Sequence, residues 1–396
     1  MGSPAMTDTQ RPNVVVVGGG FAGLTLIHQL RGAPVNIVLV DRCNHHVFQP
    51  LLYQVATAAL SPAEIAEPTR SILRNARNVT VMLDEAIGVD RANRRLLLRE
   101  GRGLPYDYLV LATGVEYDYF GHDDWAAFAP CLKTLQDADE IRRRILLAFE
   151  HAEICPNPDL QRRLLTIVLI GGGPTGVELA GSIAELARFA LRRDFRHIDP
   201  TKARIILLEA GPHLLPGFNE NLSAYARTAL ARLHVDVRLK TPAEAIDATG
   251  LVAGGERIDA GVVIWCAGVK GTQPGAWLEA PLTRKGTIQV APDLSVPGAA
   301  DIFVIGDLAA VAHQGSKPLP QVAPVAKQQG AYVARVIRGR LDGKPPPPPF
   351  RYSDPGSLAI IGRSAAVVDF GFVRLTGFVG WLVWGFAHIF FLIDFR

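Results

Sequence analysis

The sequence predicts an α/β protein, because a unit of strand, glycine-rich loop and helix occurs in it twice. The first unit begins with the β-branched run Asn13–Val17 and the second with the run Thr166–Ile170. In each unit a helical pattern follows the glycines, and the next strand ends on an acidic residue. Strands and helices in this alternation predict parallel sheets with right-handed connections. The length of 396 residues allows two or three domains at about 150 residues each.

Composition restricts the classes of protein to which the chain can belong. Charged residues make up 20% of the chain and hydrophobic residues 48%, which excludes global disorder. The formal net charge of +3 is too small to indicate nucleic acid as the main partner. No metal site is expected, since the adjacent His45 and His46 would point to opposite faces of a strand. The cysteines form no Cys-x-x-Cys pair, which argues against a zinc knuckle or a local dithiol; they are Cys43, Cys131, Cys155 and Cys266.

The first glycine-rich loop has the composition of a dinucleotide-binding turn. It runs from Gly18 to Gly23 and opens a helix directly after a strand. Glycine permits the tight turn, lets the backbone approach a pyrophosphate and allows the helix to pack closely on the strand. Asp41 ends the next strand, 18 residues after Gly23, close to the usual spacing of about 20.

The second loop, from Gly171 to Gly176, has the same context, with Glu209 at the end of the next strand. A carboxylate there accepts both ribose hydroxyls and repels a 2′-phosphate, so we expect NADH to be favoured over NADPH. The alternative is that each loop is only a glycine-rich turn between strand and helix. Two matches in full context favour two dinucleotide sites.

Two dinucleotide sites in one chain indicate a flavin and a nicotinamide, because a hydride needs a donor and a receiver. Two later segments favour the flavin at the first unit. Thr113 and Gly114 follow a strand and let the backbone approach a flavin nucleotide. Gly306 and Asp307 end a late strand, and the carboxylate suits the ribityl hydroxyls. The first domain is therefore expected to be split around the second.

The order of these motifs resembles the flavoprotein superfamily with two dinucleotide-binding domains. Three segments are similar, more narrowly, to the type II NADH dehydrogenases: NHHVFQPLLYQVAT at 44–57, YFGH at 119–122 and APVAKQQG at 323–330. The first of these segments is far more specific than either glycine-rich loop. The resemblance implies two Rossmann-like dinucleotide-binding domains, with the FAD domain split around the NAD domain, and a small C-terminal membrane-associating segment.

The resemblance also implies the residues of three binding sites. FAD, bound non-covalently, and NADH use the two glycine-rich loops, and a membrane quinone approaches a third set. The residues implied for FAD are Gly18, Gly20, Phe21, Ala22, Gly23, Asp41, Arg42, Thr113, Gly114, Gly306 and Asp307. Those implied for NADH are Gly171, Gly173, Thr175, Gly176, Glu209 and Gly268. Those implied for the quinone are Gln49, Pro50, Tyr53, Ala323, Gln328 and Gln329. The chain departs from the family at Pro324, where members often carry a glutamine.

The implied function is that of an FAD-dependent, non-proton-pumping NADH:quinone oxidoreductase. A hydride passes from NADH to flavin N5, and two electrons then pass to ubiquinone or menaquinone. Glu178 is the implied catalytic residue, which either orients the nicotinamide or relays protons. The alternative for Glu178 is an acid in the first helical turn that the helix dipole stabilises. Two other functions stay open: a reductase that passes electrons from NADH to a soluble protein carrier, and an NADH-sensing flavoprotein whose main task is interaction.

The motifs also predict where the domains divide. Residues 11–135 form the first part of the FAD domain, 136–285 the NAD domain, and 286–344 the second part of the FAD domain. Residues 345–396 comprise a proline-rich linker and a C-terminal membrane-anchoring segment.

The C-terminal segment is strongly apolar, since residues 376–393 carry no Asp, Glu, Lys or Arg. As a helix they span ~27 Å, just short of a hydrocarbon core of ~30 Å. Trp381, Trp384, His388 and Phe391 fall on one helical stripe typical of a membrane interface. A buried core helix, a transmembrane span and a monotopic anchor are the alternatives, and the resemblance implies the anchor. The expected location is the cytoplasmic face of the cell inner membrane, with lipid as a partner and a homodimer as one option.

Overall fold

The computed structural model describes residues 11–311 and 319–393, with side chains up to residue 389. It confirms the predicted mixed α/β fold. The chain forms two compact units. Unit 1 comprises the described residues of Met1–His46, Ala66–Glu116 and Val269–Asp354, and unit 2 those of Val47–Ile65, Tyr117–Gly268 and Pro355–Arg396. These units divide the chain at other residues than the predicted domains, since 47–65 and 117–135 lie in unit 2 and 269–285 in unit 1.

The helices vary from a single turn to five turns. They are α1 Phe21–Leu30, α2 Leu52–Ala56, α3 Pro62–Ile65, α4 Thr69–Ile72, α5 Leu135–Glu153, α6 Pro158–Leu164, α7 Pro174–Glu185, α8 Glu220–Arg232, α9 Pro274–Leu278, α10 Ala323–Leu341 and α11 Gly377–Ile393. A π-helical turn, Leu186–Ala190, continues α7. Four 3₁₀ turns also lie in the described residues: Gln49–Leu51, Asp123–Ala127, Pro200–Lys202 and Gly306–Leu308.

The strands are short, as is usual in globular proteins. They are β1 Asn13–Val17, β2 Asn36–Asp41, β3 His45–Val47, β4 Ala66–Pro68, β5 Val79–Leu83, β6 Ala86–Asp90, β7 Arg95–Leu98, β8 Gly103–Pro105, β9 Tyr108–Leu111, β10 Val115–Tyr117, β11 Thr166–Ile170, β12 Arg204–Glu209, β13 Val235–Leu239, β14 Ala243–Asp247, β15 Gly250–Ala253, β16 Glu256–Asp259, β17 Val262–Trp265, β18 Val269–Gly271, β19 Ile288–Gln289, β20 Ser295–Val296, β21 Ala299–Val304, β22 Ala309–Ala310, β23 Ser357–Ile360, β24 Ala366–Asp369 and β25 Arg374–Thr376.

Unit 1 is built on a six-stranded sheet in the order β20-β21-β9-β1-β2-β5. All neighbouring strands are parallel except β20 and β21. The alternating valines of β1 fill the cores on both faces of the sheet, because successive side chains of a strand point to opposite faces. Because β1, β2, β9 and β21 are parallel, their carboxyl ends lie at one edge of the sheet. This edge carries the loops after β1, β9 and β21 and the end of β2.

Unit 2 contains a four-stranded parallel sheet in the order β13-β12-β11-β17. Every residue of β11 is buried, which accounts for its uninterrupted apolar sequence. The loop after β11 and the ends of β12 and β17 lie at one edge of this sheet, as in unit 1. Helix α11 packs on β24 and β25 of a separate antiparallel sheet in unit 2.

Helices α1 and α10 approach each other closely in unit 1 at Gly330. A Cβ atom on Gly330 would lie 2.3 Å from the carbonyl oxygen of Ala22, which is far inside van der Waals contact. Because Ala22 is the second residue of α1, this contact also fixes the helix that carries the first glycine-rich loop.

We expect Gly330→Ala to destabilise unit 1 by about 2 kcal/mol, because backbone atoms must move to admit the methyl group. Gly339→Ala in the same helix is the matched control, since its Cβ would meet no atom within 4 Å. There, alanine should stabilise the helix by roughly 0.5–1 kcal/mol. Thermal unfolding followed by circular dichroism compares the two, and equal melting temperatures would contradict the close-contact explanation.

Candidate active site

The first glycine-rich loop needs glycine at both of its ends. Gly18 has φ +103°, and a Cβ atom there would lie 2.4 Å from the Ala112 carbonyl oxygen. A Cβ on Gly23 would lie 2.1 Å from the carbonyl oxygen of Gly18. Gly20 is the N-cap of α1, followed by Phe21 and Ala22 as its first two residues. The loop thus presents the start of α1, with its partial positive charge, at the sheet edge.

Asp41 fastens this loop to the neighbouring strand. The Gly19 N–H donates a hydrogen bond of 2.6 Å to Asp41 Oδ2, and the Cys43 N–H donates one of 2.7 Å to Asp41 Oδ1. The sequence predicted Asp41 as a ribose acceptor. In the structure each of its oxygens also holds backbone, with lone-pair capacity left for a hydroxyl.

A cavity of about 160 Å³ opens beside this loop in unit 1. Its polar lining suits the ribose hydroxyls of a dinucleotide, since it offers several carboxylates that accept hydrogen bonds, and its one guanidinium can pair with a phosphate. Among the lining residues are Gly18, Asp41, Arg42, Glu85, Thr113 and Thr272. The hydroxyls of Thr113 and Thr272 are 2.7 Å apart, and Gly114 has φ +70°. Four of the residues implied for FAD, namely Gly18, Asp41, Arg42 and Thr113, line this cavity.

The late strand β21 brings Gly306 and Asp307 to the same sheet edge as the first loop. Gly306 has φ +75°, and its N–H donates a hydrogen bond of 2.6 Å to Gln329 Oε1. Gln329 is 0% exposed, and its Nε2 has no hydrogen-bond partner among the described residues. A buried donor without an acceptor is costly, so this atom fits a bound group that offers one. This observation favours FAD in unit 1.

The segment 323–330 was predicted to line the quinone site. In the structure its side chains have different surroundings and different hydrogen-bond partners. Ala323 begins α10 and is partly exposed. The Gln328 amide is already paired with Ser353, because Nε2 donates to its carbonyl oxygen and Oε1 accepts from its N–H. Gln329 is engaged with Gly306 as described above. The helical period turns adjacent glutamines to different surroundings.

The second loop repeats the geometry of the first. Gly171 has φ +114°, and a Cβ on Gly176 would lie 1.9 Å from the Gly171 carbonyl oxygen. Glu209 Oε2 accepts the Gly172 N–H at 2.6 Å, and Oε1 accepts the Gly211 N–H at 2.6 Å. Both acids therefore hold two backbone donors, one of them in the glycine-rich loop.

The remaining residues implied for NADH lie at the same edge of the unit 2 sheet. Gly173 is the N-cap of α7, and Thr175 is the second residue of that helix. Gly268 has φ +67°, and a Cβ there would lie 2.4 Å from Cζ of Phe120. Phe120 belongs to the segment 119–122, and 62% of its surface is exposed.

Glu178 lies one turn deeper in α7 than the sequence suggested. The helix begins at Pro174, so no acidic residue lies in its first turn, and Glu178 is its fifth residue. The prediction of a first-turn acid stabilised by the helix dipole was therefore wrong, because that effect fades beyond the first turn. Burial raises the pKa of the Glu178 carboxyl to about 8, while a hydrogen bond with the Ile360 backbone lowers it. At neutral pH most molecules thus hold Glu178 as a neutral acid.

An apolar cavity of about 500 Å³ lies near Glu178 within unit 2. Tyr53 lines it and is 4% exposed, and burial together with the Glu178 carboxylate raises the pKa of its phenol. The Gln54 amide donates a 2.8 Å hydrogen bond to the Tyr53 hydroxyl. Gln49 is exposed and Pro50 half-buried in the preceding 3₁₀ turn, and neither lines the cavity. Of the residues implied for the quinone, only Tyr53 lines this cavity.

Sequence reasoning missed several residues of these sites. Thr272 reaches the unit 1 cavity from a segment far along the chain and has no local signal. Ser182 and Glu185 line the unit 2 cavity, and their spacing from Glu178 on one helix was a readable signal. Trp384 lines the same cavity and is 7% exposed.

The apolar side chains that helix α11 exposes to solvent are not those of the predicted stripe. The stripe containing Trp381, Trp384 and His388 turns toward the protein, with the rings of Trp384 and His388 stacked 4.1 Å apart between centroids. Phe391 lies beyond the residues whose side chains are described. The side chains most exposed on this helix are Phe378, Val379, Leu382, Phe386 and Ile389, each more than half exposed. Across the described part of the chain, no helix combines the length and apolarity needed to cross a bilayer.

Comparison with known proteins shows the family of the chain. The family model described as pyridine nucleotide-disulphide oxidoreductase matches residues 12–330. The chain is 43% identical to a type II NADH:quinone oxidoreductase of Mycobacterium tuberculosis, over 99% of this chain and 87% of the relative. It is 29% identical to a type II NADH:quinone oxidoreductase of Staphylococcus haemolyticus, over 90% and 89%.

Solved structures show the same fold. The structure of NDH2 from Plasmodium falciparum in complex with NADH superimposes with a TM-score of 0.90 at 20% identity, covering 97% of this chain and 95% of that one. The resemblance drawn from residues 44–57 is thereby confirmed. The chain belongs to the type II NADH:quinone oxidoreductases, within the pyridine nucleotide-disulphide oxidoreductase family.

Proposed function

We propose that this chain oxidises NADH and reduces a membrane quinone, with non-covalently bound FAD as its cofactor and without pumping protons. When bound, FAD supplies hydride acceptance from NADH and two-electron delivery to the quinone. The observation that most supports this function is the apolar cavity near Glu178, a carboxyl that is mostly protonated at neutral pH. A quinone has a flat, largely apolar ring whose two carbonyl oxygens take up protons on reduction, whereas a soluble carrier protein docks on an exposed surface.

Unit 1 would hold FAD through its sheet edge. The Gly18 to Gly23 loop and the α1 N-terminus bind the pyrophosphate, and Asp41 binds a ribose while fixing the loop. Gln329 Nε2, which is buried and has no partner among the described residues, would donate a hydrogen bond to the bound group. Asp307 accepts hydrogen bonds from ribityl hydroxyls. Together these residues orient the cofactor and exclude water from its polar atoms.

Unit 2 would hold NADH in the equivalent way. The α7 N-terminus binds its pyrophosphate, and Glu209 binds the adenosine ribose. The Glu209 carboxylate also disfavours a second phosphate on that ribose by charge repulsion.

Glu178 supplies a proton to the quinone. The balanced reaction is NADH + H⁺ + quinone → NAD⁺ + quinol, so one proton per turnover comes from solution. A carboxyl with a pKa of about 8 is protonated at neutral pH and can donate that proton. Tyr53, whose hydroxyl lies near Glu178, stays neutral and is placed to hydrogen-bond the quinone.

The exposed stripe of α11 would dock the protein on the membrane that contains the quinone. Its five apolar side chains lie on one helical face, as in helices that rest in the lipid interface. Docking at the cytoplasmic face, where NADH is available, and assembly as a homodimer are further parts of this proposal.

The experiment for the function is anaerobic stopped-flow spectroscopy of the FAD-loaded protein. NADH should bleach the flavin absorbance, and a short-chain quinone should restore it with a matching loss of quinone. Restoration by a soluble electron-carrier protein and not by quinone would support the reductase alternative instead. Bleaching without restoration by either acceptor would favour the NADH-sensing alternative.

Glu209→Gln should raise kcat/KM for NADPH relative to NADH about tenfold, because removing one negative charge removes roughly 1.4 kcal/mol of repulsion. Asp41→Asn is the matched control, since Asp41 holds the equivalent loop in unit 1. It should leave the NADPH to NADH ratio unchanged and weaken retention of FAD. Steady-state kinetics with both nucleotides give the ratio, and an equal change in both variants would refute the assignment of the loops.

Glu178→Gln should slow quinone reduction about 100-fold at pH 7, the range for loss of a general acid. Bleaching by NADH should continue, since it needs no external proton. The acid form is present below the pKa of about 8 and lost above it, so the wild-type rate should fall as the pH rises through 8. The variant should lack this fall. A wild-type rate that stays flat from pH 6 to 9 would contradict the role of Glu178.

Phe386→Ser should weaken binding to lipid vesicles about tenfold, given ~1.5–3 kcal/mol for burial of such a side chain. Ile154→Ser is the matched control, because Phe386 and Ile154 are both 79% exposed. Ile154 lies after α5 and outside the α11 stripe. Flotation of the holoenzyme with vesicles measures binding, and an equal loss in both variants would show that general surface apolarity, and not α11, determines docking.

A further inference from the structure

Three polar side chains follow one face of α7. Glu178, Ser182 and Glu185 are spaced by four and three residues, the spacing that aligns side chains along a helix. At 1.5 Å per residue, Glu178 and Glu185 are separated by roughly 10 Å along the helix axis, with Ser182 between them. In an otherwise apolar helix this alignment has no role in packing against the sheet.

Two of these residues, Ser182 and Glu185, line the unit 2 cavity. Glu178 does not line it directly. It interacts with Tyr53 and with the Ile360 backbone, and both of these residues line the cavity. The cavity of about 500 Å³ has room for several water molecules, since one water takes up about 30 Å³.

Glu185 is held in position at this cavity. Its Oε1 accepts a hydrogen bond from the Arg363 N–H, and a Cβ on Gly362 would lie 2.8 Å from the same oxygen. Burial raises the pKa of the Glu185 carboxyl, and the Arg363 hydrogen bond and charge lower it. Arg363 is exposed, so Glu185 lies at the end of the cavity that meets solvent.

Few other titratable groups influence the pKa values of Glu178 and Glu185. Tyr53 on α2 faces both carboxyls and is neutral, and Arg363 after β23 faces Glu185. His388 on α11 lies behind Trp384, and burial lowers its pKa, so it is uncharged at neutral pH. Within the described residues, the helices and strands packed on α7 add no other group that shifts either carboxyl.

We propose that Ser182 and Glu185 deliver the proton that Glu178 gives to the quinone, with Glu185 as the residue that takes it from solvent. This inference rests on the proposed function. When a quinone O–H bond forms, the Glu178 O–H bond breaks. The resulting carboxylate takes a proton through the Ser182 hydroxyl and cavity water from Glu185, which then takes one from bulk water. One proton enters per NADH oxidised, as the balanced reaction requires.

Direct transfer between the two carboxyls is excluded by their separation of roughly 10 Å along the helix. Ser182 shortens the gaps to about 6 Å and about 4.5 Å along the axis, which one bridging water each can span. Ser182 and Glu185 do not touch the reacting atoms in this scheme and act only through Glu178. They are therefore relay residues.

Glu185→Gln is the principal test, because glutamine keeps an oxygen that accepts the Arg363 N–H and loses only the exchangeable proton. Proton uptake by the holoenzyme during turnover is followed with a pH indicator in weakly buffered solution. The variant should take up one proton per NADH about tenfold more slowly than the wild type. Glu153→Gln is the matched control, since Glu153 also accepts backbone N–H groups but lies outside the cavity. Its uptake should equal that of the wild type.

A double variant separates a relay from a structural effect. Because the carboxyls act in series, Glu178→Gln combined with Glu185→Gln should be no slower than Glu178→Gln alone. Added imidazole, a small proton donor, should restore uptake in Glu185→Gln and not in Glu178→Gln. Additive losses, or no rescue of Glu185→Gln, would overturn the relay.

Infrared spectra of the resting protein without quinone give a readout that does not depend on turnover. The C=O band of protonated carboxyls should lose intensity at neutral pH in Glu178→Gln, should lose intensity on acidification in Glu185→Gln, and should be unchanged in Glu153→Gln. If the wild type reduces quinone while Glu185→Gln matches it in uptake rate, the relay is wrong and the proposed function stands. If the wild type reduces no quinone, the proposed function itself fails.

Discussion

The interaction on which both nucleotide sites depend is a carboxylate that holds two backbone N–H groups. Asp41 fastens the first glycine-rich loop, and Glu209 fastens the second, each through one oxygen to the loop and the other to the residue two positions later. Glycine-rich backbone is flexible, and its N–H groups bind phosphate only if they are held in place. The acid that we propose to bind the ribose is therefore also the support of the glycine-rich loop, so under that proposal binding and local folding are not separable at these positions.

Ionisation of the Glu178 carboxyl lowers the free energy of unfolding of unit 2. A carboxyl whose pKa is raised by burial is stabilised as the neutral acid and destabilises the fold when it ionises. Its folded pKa lies above the unfolded value, so the protein loses stability as the pH rises between the two. Glu178 lies in helix α7, whose fully buried residues are all apolar or glycine. The proposed proton supply and the penalty in stability would thus share one physical origin, the burial of this carboxyl.

Much of the fold was predictable from the sequence, because the signals were local. Asn13–Val17 and Thr166–Ile170 are strands, and the loops after them require glycine, because close backbone approach leaves no room for a Cβ. The family followed from residues 44–57 and was confirmed. Glu178 was placed one turn too early, since the helix begins at Pro174 and not after the last glycine. Gln328 and Gln329 were predicted to line one site; the Gln328 amide is paired with Ser353, whereas Gln329 accepts from Gly306 and its Nε2 has no partner among the described residues.

The sequence alone determined the two strand–loop–helix units, the acids that end their second strands and the apolar character of the C-terminal helix. Each depends on neighbours within a few residues, where spacing fixes geometry. Only the tertiary structure decided which face of α11 meets solvent, because Trp384 is buried by packing that the helical period does not reveal. The tertiary structure also places Thr272 beside the first loop and forms the cavity along α7. Those features depend on contacts between segments far apart in the chain, and periodicity holds no information about them.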